Sequence, residues 1–175
     1  RSPKEKRPQP HPDGPQAPTI GDGGFYGSSV VLGANKAGYV QSTESAPGYI
    51  RSYATATCEG ILCWLALGAG PRHEAIFAAK NWLEAHPDVH RVGGIPMEDP
   101  DGWARVLIFY HYWVRSAIYA GLDWPGDWRS DIQQALEDRQ QPDGSFSNPD
   151  GAANKEDDPV LATAMAVMSM MRCME

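Results

Sequence analysis

Gln140-Gln141-Pro142-Asp143-Gly144-Ser145-Phe146 is the stretch on which the fold turns. Gly144 lets the chain reverse tightly, the glutamine amides can tie helix ends, and Phe146 is an aromatic that packs such a turn onto the next helices. Related strings stand earlier, at Gly21-Asp22-Gly23-Gly24-Phe25-Tyr26-Gly27 and at Gly93-Gly94-Ile95. A polar, glycine-dotted stretch covers 32–48. Between the turns, apolar residues recur at three- and four-residue spacing, which predicts helices. One is expected over 49–67, apolar almost all round, with Tyr49, Tyr53, Ala56, Gly60, Cys63 and Leu67 in register. Gly68 and Gly70 stop it, and Pro71 opens an amphipathic helix over 72–84 at its first turn. An apolar, aromatic helix follows over 102–120, then an amphipathic one over 127–139. Asp158-Pro159, an N-cap followed by proline at the first helical position, opens a last apolar helix over 160–171. Apolar helices should be enclosed and amphipathic ones should lie outside them. The endings Ala69-Gly70 and Ala120-Gly121 are 51 positions apart. The unit therefore recurs about every 50 residues, two and a half times, and the expected fold is all-α, an array of stacked helix pairs.

The chain has 175 residues and a mass of 19.1 kDa, about one ordinary domain. Six of its 15 prolines fall within the first 18 residues, so 1–20 reads as a disordered, Pro-rich basic arm and 21–175 as the repeat domain. The arm carries a net +2, leaving −9 of the total −7 on the rest, an acidic body that argues against nucleic acid as a partner. No apolar run is long enough to span a bilayer. The start, Arg1-Ser2-Pro3, has no apolar signal core and looks processed, trimmed or cut from something longer, which leaves the compartment open. Three cysteines are too few for a disulfide scaffold. Cys58 and Cys63 face about 140° apart on a helix, which suits neither a bridge nor a metal. All three cysteines read as small core residues.

The repeat resembles that of the squalene cyclases and protein prenyltransferases, the α/α-toroid superfamily of terpenoid cyclases. The resemblance rests on Asp22-Gly-Gly-Phe25, on the run from Arg51 to Gly60, on Ala79-Lys-Asn-Trp-Leu83, on Gln140 to Phe146 and on Glu156 to Ala164. Gln140, Asp143, Gly144 and Phe146 match the family's Gln-Trp turn with Phe in the aromatic place, and Gly24 and Phe25 match an earlier copy. The likeness covers 20–175. It implies a partial α/α toroid with apolar inner and amphipathic outer helices, either the C-terminal part of a longer ring or a reduced, open arc. It also implies an apolar concave face, suited to an isoprenoid, a lipid or a protein segment. The cyclases' Asp-x-Asp-Asp acid is absent; the nearest string, Glu156-Asp157-Asp158, reads as helix capping. The transferases' Asp-x-Cys zinc pair is also absent, since Ala56, Ile61 and Met171 stand two before the three cysteines. No metal or cofactor is expected, and whether the chain is an enzyme stays open.

Two polar residues sit in apolar helices, Glu59 and His111. Each could point into a central cavity as an acid or base, or could be hydrogen-bonded between helices by Arg51, Arg115 or a tyrosine. Tyr53, Trp64, Trp103, Tyr110 and Trp113 could line such a cavity against an isoprenoid chain or carbocation, or could serve helix packing alone. His86 and His90 have a metal-like spacing, but Pro87 breaks the helix there, and a solvated turn is expected. His73 is expected at the surface. Asp99-Pro-Asp-Gly-Trp103 lacks the calcium-loop ladder and reads as a turn and cap; Asn148-Pro-Asp-Gly151 reads as a turn. Three functions fit: a binding module, the C-terminal wall of an isoprenoid cyclase or prenyltransferase with its catalytic groups upstream, or an extracellular domain facing a peptide or glycan. The apolar last helix should seek the remaining toroid repeats or self-associate.

Overall fold

The computed structural model describes residues 21–174; the expected arm over 1–20 lies outside the described residues. The fold is all-α, with α1 (Ala54–Ala66), α2 (Glu74–Glu84), α3 (Trp103–Val106), α4 (Ile108–Gly121), α5 (Trp128–Glu137) and α6 (Pro159–Met174). Strands β1 (Tyr39–Val40) and β2 (Tyr49–Ile50) form a small antiparallel pair, with Tyr39 opposite Ile50. Helix α4 packs on both α1 and α6, so the three apolar helices stand in a row. The amphipathic α2 backs α1, and α5 backs α6 and α4. The core runs along the row, from Ile61 and Leu83 through Phe109, Tyr112 and Ile118 to Phe146 and Ala166.

Several helix limits differ from those read in the sequence. The first helix starts at Ala54, because Tyr49 and Ile50 pair with Val40 and Tyr39 instead, beside a buried Gly48 where a Cβ would strike the Tyr39 hydroxyl. Tyr53 stays extended (φ −149°, ψ 156°) and donates its N–H to the Phe25 carbonyl at 3.0 Å. Pro71 does not open α2. His73 caps it instead, its Nδ1 accepting from the Ala75 N–H at 3.3 Å. His73 is therefore half-buried rather than a surface residue, and its ring stacks on Trp64 with centroids 4.3 Å apart.

The helix expected over 102–120 breaks at Leu107 (φ −107°, ψ 27°) into α3 and α4. Side chains from afar serve both broken ends. The Asn148 amide donates to the Arg105 carbonyl at 2.8 Å, and the Glu156 carboxylate accepts from the Phe109 and Tyr110 N–H groups at 3.1 and 2.8 Å. A helix start left without such partners would orphan these donors.

Enclosure also departs from expectation. Helix α4 is covered nearly all round, whereas α1 is buried only as far as Ile61 and exposes Leu62, Cys63 and Leu67. Cys58 and Cys173 are core residues, but Cys63 is exposed: among the described residues no helix covers the C-terminal half of that α1 flank.

The turns repeat in atomic detail. The Phe25 N–H donates to Thr57 Oγ1 on α1, and the Phe146 N–H donates to Thr163 Oγ1 on α6, each at 3.0 Å. Asp22 accepts from the Gly24 N–H at 3.0 Å, and Asp143 accepts from the Ser145 N–H at 2.9 Å. Phe146 is buried, edge-on to Phe109 at 5.7 Å, which is worth about 2–3 kcal/mol of transfer energy. Gln140 does not tie two helices: its amide donates to the Gly144 carbonyl at 3.0 Å, inside its own turn. Asp158 caps α6 as expected, accepting from the Val160 N–H at 2.9 Å.

Candidate functional site

The paired Thr57 and Thr163 place α1 and α6 in one register, 106 positions apart. Helix α4 packs between them, and the Tyr110–Glu59 contact aligns it at the sequence offset of 51, so that Glu59, Tyr110 and Met165 correspond. Stepping three and seven residues on, the same face carries Leu62 and Ala66 on α1, Trp113 and Ala117 on α4, and Met168 and Arg172 on α6. Every one of these side chains is half-buried or exposed, while the other faces of α4 are buried. One face of the helix row is thus open along three helices, and its middle is apolar: Leu62, Trp113 and Met168.

A polar couple stands on that face. The Tyr110 hydroxyl donates to Glu59 Oε1 across the α1–α4 junction. Burial, then this bond to the Glu59 carboxylate, hold the Tyr110 phenol far above its usual range. Trp113 meets Tyr110 edge-on at 5.6 Å. Burial and the nearby Glu59 charge push the Tyr53 phenol up to about 12. The arrangement is a carboxylate and a neutral phenol set beside an indole, a polar anchor at one end of an apolar strip.

The other candidates do not gather there. Tyr53 is buried beneath the N-terminus of α1, and Trp64 turns outward to His73. Trp103 lies under the Lys36 ammonium, 3.4 Å from its ring centroid, at the edge of a separate cleft of about 390 Å³. That cleft is lined by charges of both signs, Lys36 and Arg51 against Glu98, Asp99 and Asp101. His111 is fully buried on another face of α4, 3.3 Å from Arg115 Nη1. Burial first and the Arg115 charge second hold its imidazole well below the usual pKa, against a hydrogen bond with the Asp88 backbone. His111 and Glu59 therefore do not form a pair. His90 is exposed, but His86 is not simply solvated: it stacks on Trp82 at 3.7 Å, with Nδ1 2.7 Å from the Trp82 carbonyl.

The turn residues have structural duties. A Cβ on Gly24 would run into Ser52 and the Trp82 ring, so only glycine lets Asp22 reach the Trp82 indole N–H at 2.8 Å and the Ser52 hydroxyl at 2.8 Å. Asp99 accepts from the Asp101 and Trp103 N–H groups, a turn and a cap together.

Three buried polar residues do more than their local sequence suggests. Arg115 is fully buried and donates to the His86 and Asp88 carbonyls at 2.7 and 3.0 Å and to the Tyr119 hydroxyl at 2.7 Å. Asn148 and Glu156 join the Pro149–Asn154 loop to the α3–α4 break, and the Asn148 amide donates to Glu156 at 3.0 Å. Burial raises the Glu156 pKa, opposed by the N–H bonds to its carboxylate. Glu156 caps α4, not the helix it precedes in sequence. Its signal was present as an acid before a proline, but the partner lies 46 residues away.

Among the described residues, no three His, Cys, Asp or Glu side chains converge to hold a metal, and no helix is long and apolar enough to cross a membrane. No family model, no curated protein and no solved structure gives a match to this chain.

Proposed function

We propose that this chain is a helical-repeat module of the squalene-cyclase and protein-prenyltransferase kind, a partial α/α toroid that binds an extended apolar chain. The ligand would be an isoprenoid or lipid tail lying along Leu62, Trp113 and Met168. One observation carries the reading: partly exposed apolar side chains recur at the same register on three adjacent helices. A flexible Met and a Trp on such a strip suit an unbranched or methyl-branched hydrocarbon without demanding directional bonds.

A second reading, the wall of an isoprenoid-processing enzyme, draws support from Glu59 and Tyr110. An acid and phenol on an apolar face are groups able to hold or move a proton near a bound chain.

Native mass spectrometry with polyprenol and with a straight-chain fatty alcohol tests the binding reading. A one-to-one polyprenol adduct is expected, and Leu62→Glu should weaken it by about tenfold or more, because a charge would sit on the strip. No adduct, or an adduct indifferent to Leu62→Glu and Trp113→Ala, would contradict it. If the enzymatic reading holds, Glu59→Gln should keep the adduct and stop turnover in the full-length enzyme.

A further inference from the structure

The shared register exposes a difference between the two ends of the helix row. On α1, Ala54, Cys58 and Ile61 share one flank, on which the Cys58 thiol feels the Arg115 charge of α4, and all three are 0% exposed. Their equivalents on α6, 106 positions later, are Val160, Ala164 and Val167. Val160 is 79% and Val167 42% exposed, Ala164 is exposed, and Met171 prolongs the stripe at 55%. Spacing of three and four residues puts all of these on one helix face. The opposite flank of α6, Ala162, Ala166, Ser169 and Cys173, is buried in its packing on α4 and α5. Helix α6 therefore has the flank that α1 uses to seat its neighbour, and among the described residues nothing is seated on it.

The other end of the row is the complement. The α1 residues equivalent to that buried flank are Ala56, Gly60, Cys63 and Leu67. Ala56 is buried and Gly60 lies directly under the Phe25 ring, while Cys63 is exposed and Leu67 is 80% exposed. Phe25 is half-buried and holds the place on α1 that Phe146 holds on α6, bonded to the equivalent threonine. Within the row, Phe146 meets Phe109 of α4 edge-on. The offsets of 51 and 106 make Ala164 the α6 equivalent of Phe109.

We propose that the chain associates head to tail with a second copy, the Val160–Ala164–Val167–Met171 stripe of one α6 seating on the Phe25, Cys63 and Leu67 flank of the partner's α1. The contact continues the α1–α4 and α4–α6 interfaces already present inside one chain, in the same register. Two different surfaces meet, so the interface is heterologous and does not by itself stop at two copies. It uses a different face of α6 from the ligand strip at Met165 and Met168, so it stands or falls independently of the proposed ligand.

Sedimentation velocity over a concentration series, combined with cysteine cross-linking, tests this. The mass of the 175-residue chain should rise beyond that of a dimer with concentration and resist added salt. Val167→Lys and Met171→Glu, at exposed positions that leave the monomer core untouched, should each weaken association by about tenfold or more. The native Cys63 is exposed and Cys58 and Cys173 are buried, so a short bismaleimide on Val167→Cys should join residue 167 of one copy to residue 63 of another. A strict monomer at every concentration overturns the proposal, as does a dimer that cross-links 167 to 167. Association unchanged by Val167→Lys and Met171→Glu also overturns it. A circular dichroism spectrum matching the parent chain shows that each variant is folded.

Discussion

Helices α1 and α6 are the same element in two settings. Each carries a threonine that holds the N–H of a turn phenylalanine, and each belongs to one row with α4. Yet α1 is covered on the flank that α6 leaves open, and α6 is covered on the flank that α1 half exposes. Local sequence sets the helix and its register, and position in the row decides which flank is buried. Helix α4 has neighbours on both sides, and both of its flanks are buried.

Substitutions at matched positions sharpen the contrast. Arg115 of α4 should be the least tolerant site: Arg115→Ala removes its bonds to the His86 and Asp88 carbonyls and the Tyr119 hydroxyl, and should cost about 3–5 kcal/mol in denaturant unfolding. Exposed flank residues such as Met171 should tolerate alanine within about 0.5 kcal/mol under dilute conditions. The two turn phenylalanines should differ. Phe146→Ala empties a fully packed site and should cost about 3–5 kcal/mol. Phe25→Ala should cost about half as much, because Phe25 lies at the open end of the row and is only half-buried. Equal losses would mean that the two ends are not in different settings.

The enclosure of α4 has a pH signature. His111 has its pKa held well below the ordinary value in the folded chain, so only the unfolded chain takes up a proton as pH falls below about 6.5. Its contribution to stability is complete above that pH and is lost on acidification, by up to about 1.4 kcal/mol per pH unit. Chemical denaturation between pH 7 and pH 5 should show this slope (on the order of two units of titration), and His111→Gln should flatten it. The smallest expected effect tests the equivalence itself. Thr57→Val and Thr163→Val each remove one acceptor from a turn N–H and should each cost about 1 kcal/mol. A clear loss at one site and none at the other would break the match between the modules.

Much of this organisation could be read from the residues. Alternating apolar and amphipathic stretches fixed the all-α class, and Asp158-Pro159 marked the start of α6, because both signals act within a few residues. The break at Leu107 could not be read that way. The residues around it favour a continuous helix, and it is the distant Asn148 and Glu156 that satisfy the ends. Cys63 and Leu67 look like core in any window, and their exposure follows from their place at one end of the described row. Glu59 and Tyr110 were both picked out, but only the fold joins them. Trp64 and Trp103 share their aromatic character and not their place.

The most direct test of the row and its register is thiol labelling of two equivalent positions under dilute conditions. Native Cys58 and an introduced Ala164→Cys occupy the same helix position, one on the covered flank of α1 and one on the open flank of α6. Labelling at residue 164 should proceed at nearly the rate of an unfolded thiol, while Cys58 should react only through global unfolding. Equal protection, or equal reactivity, at the two sites would contradict the account.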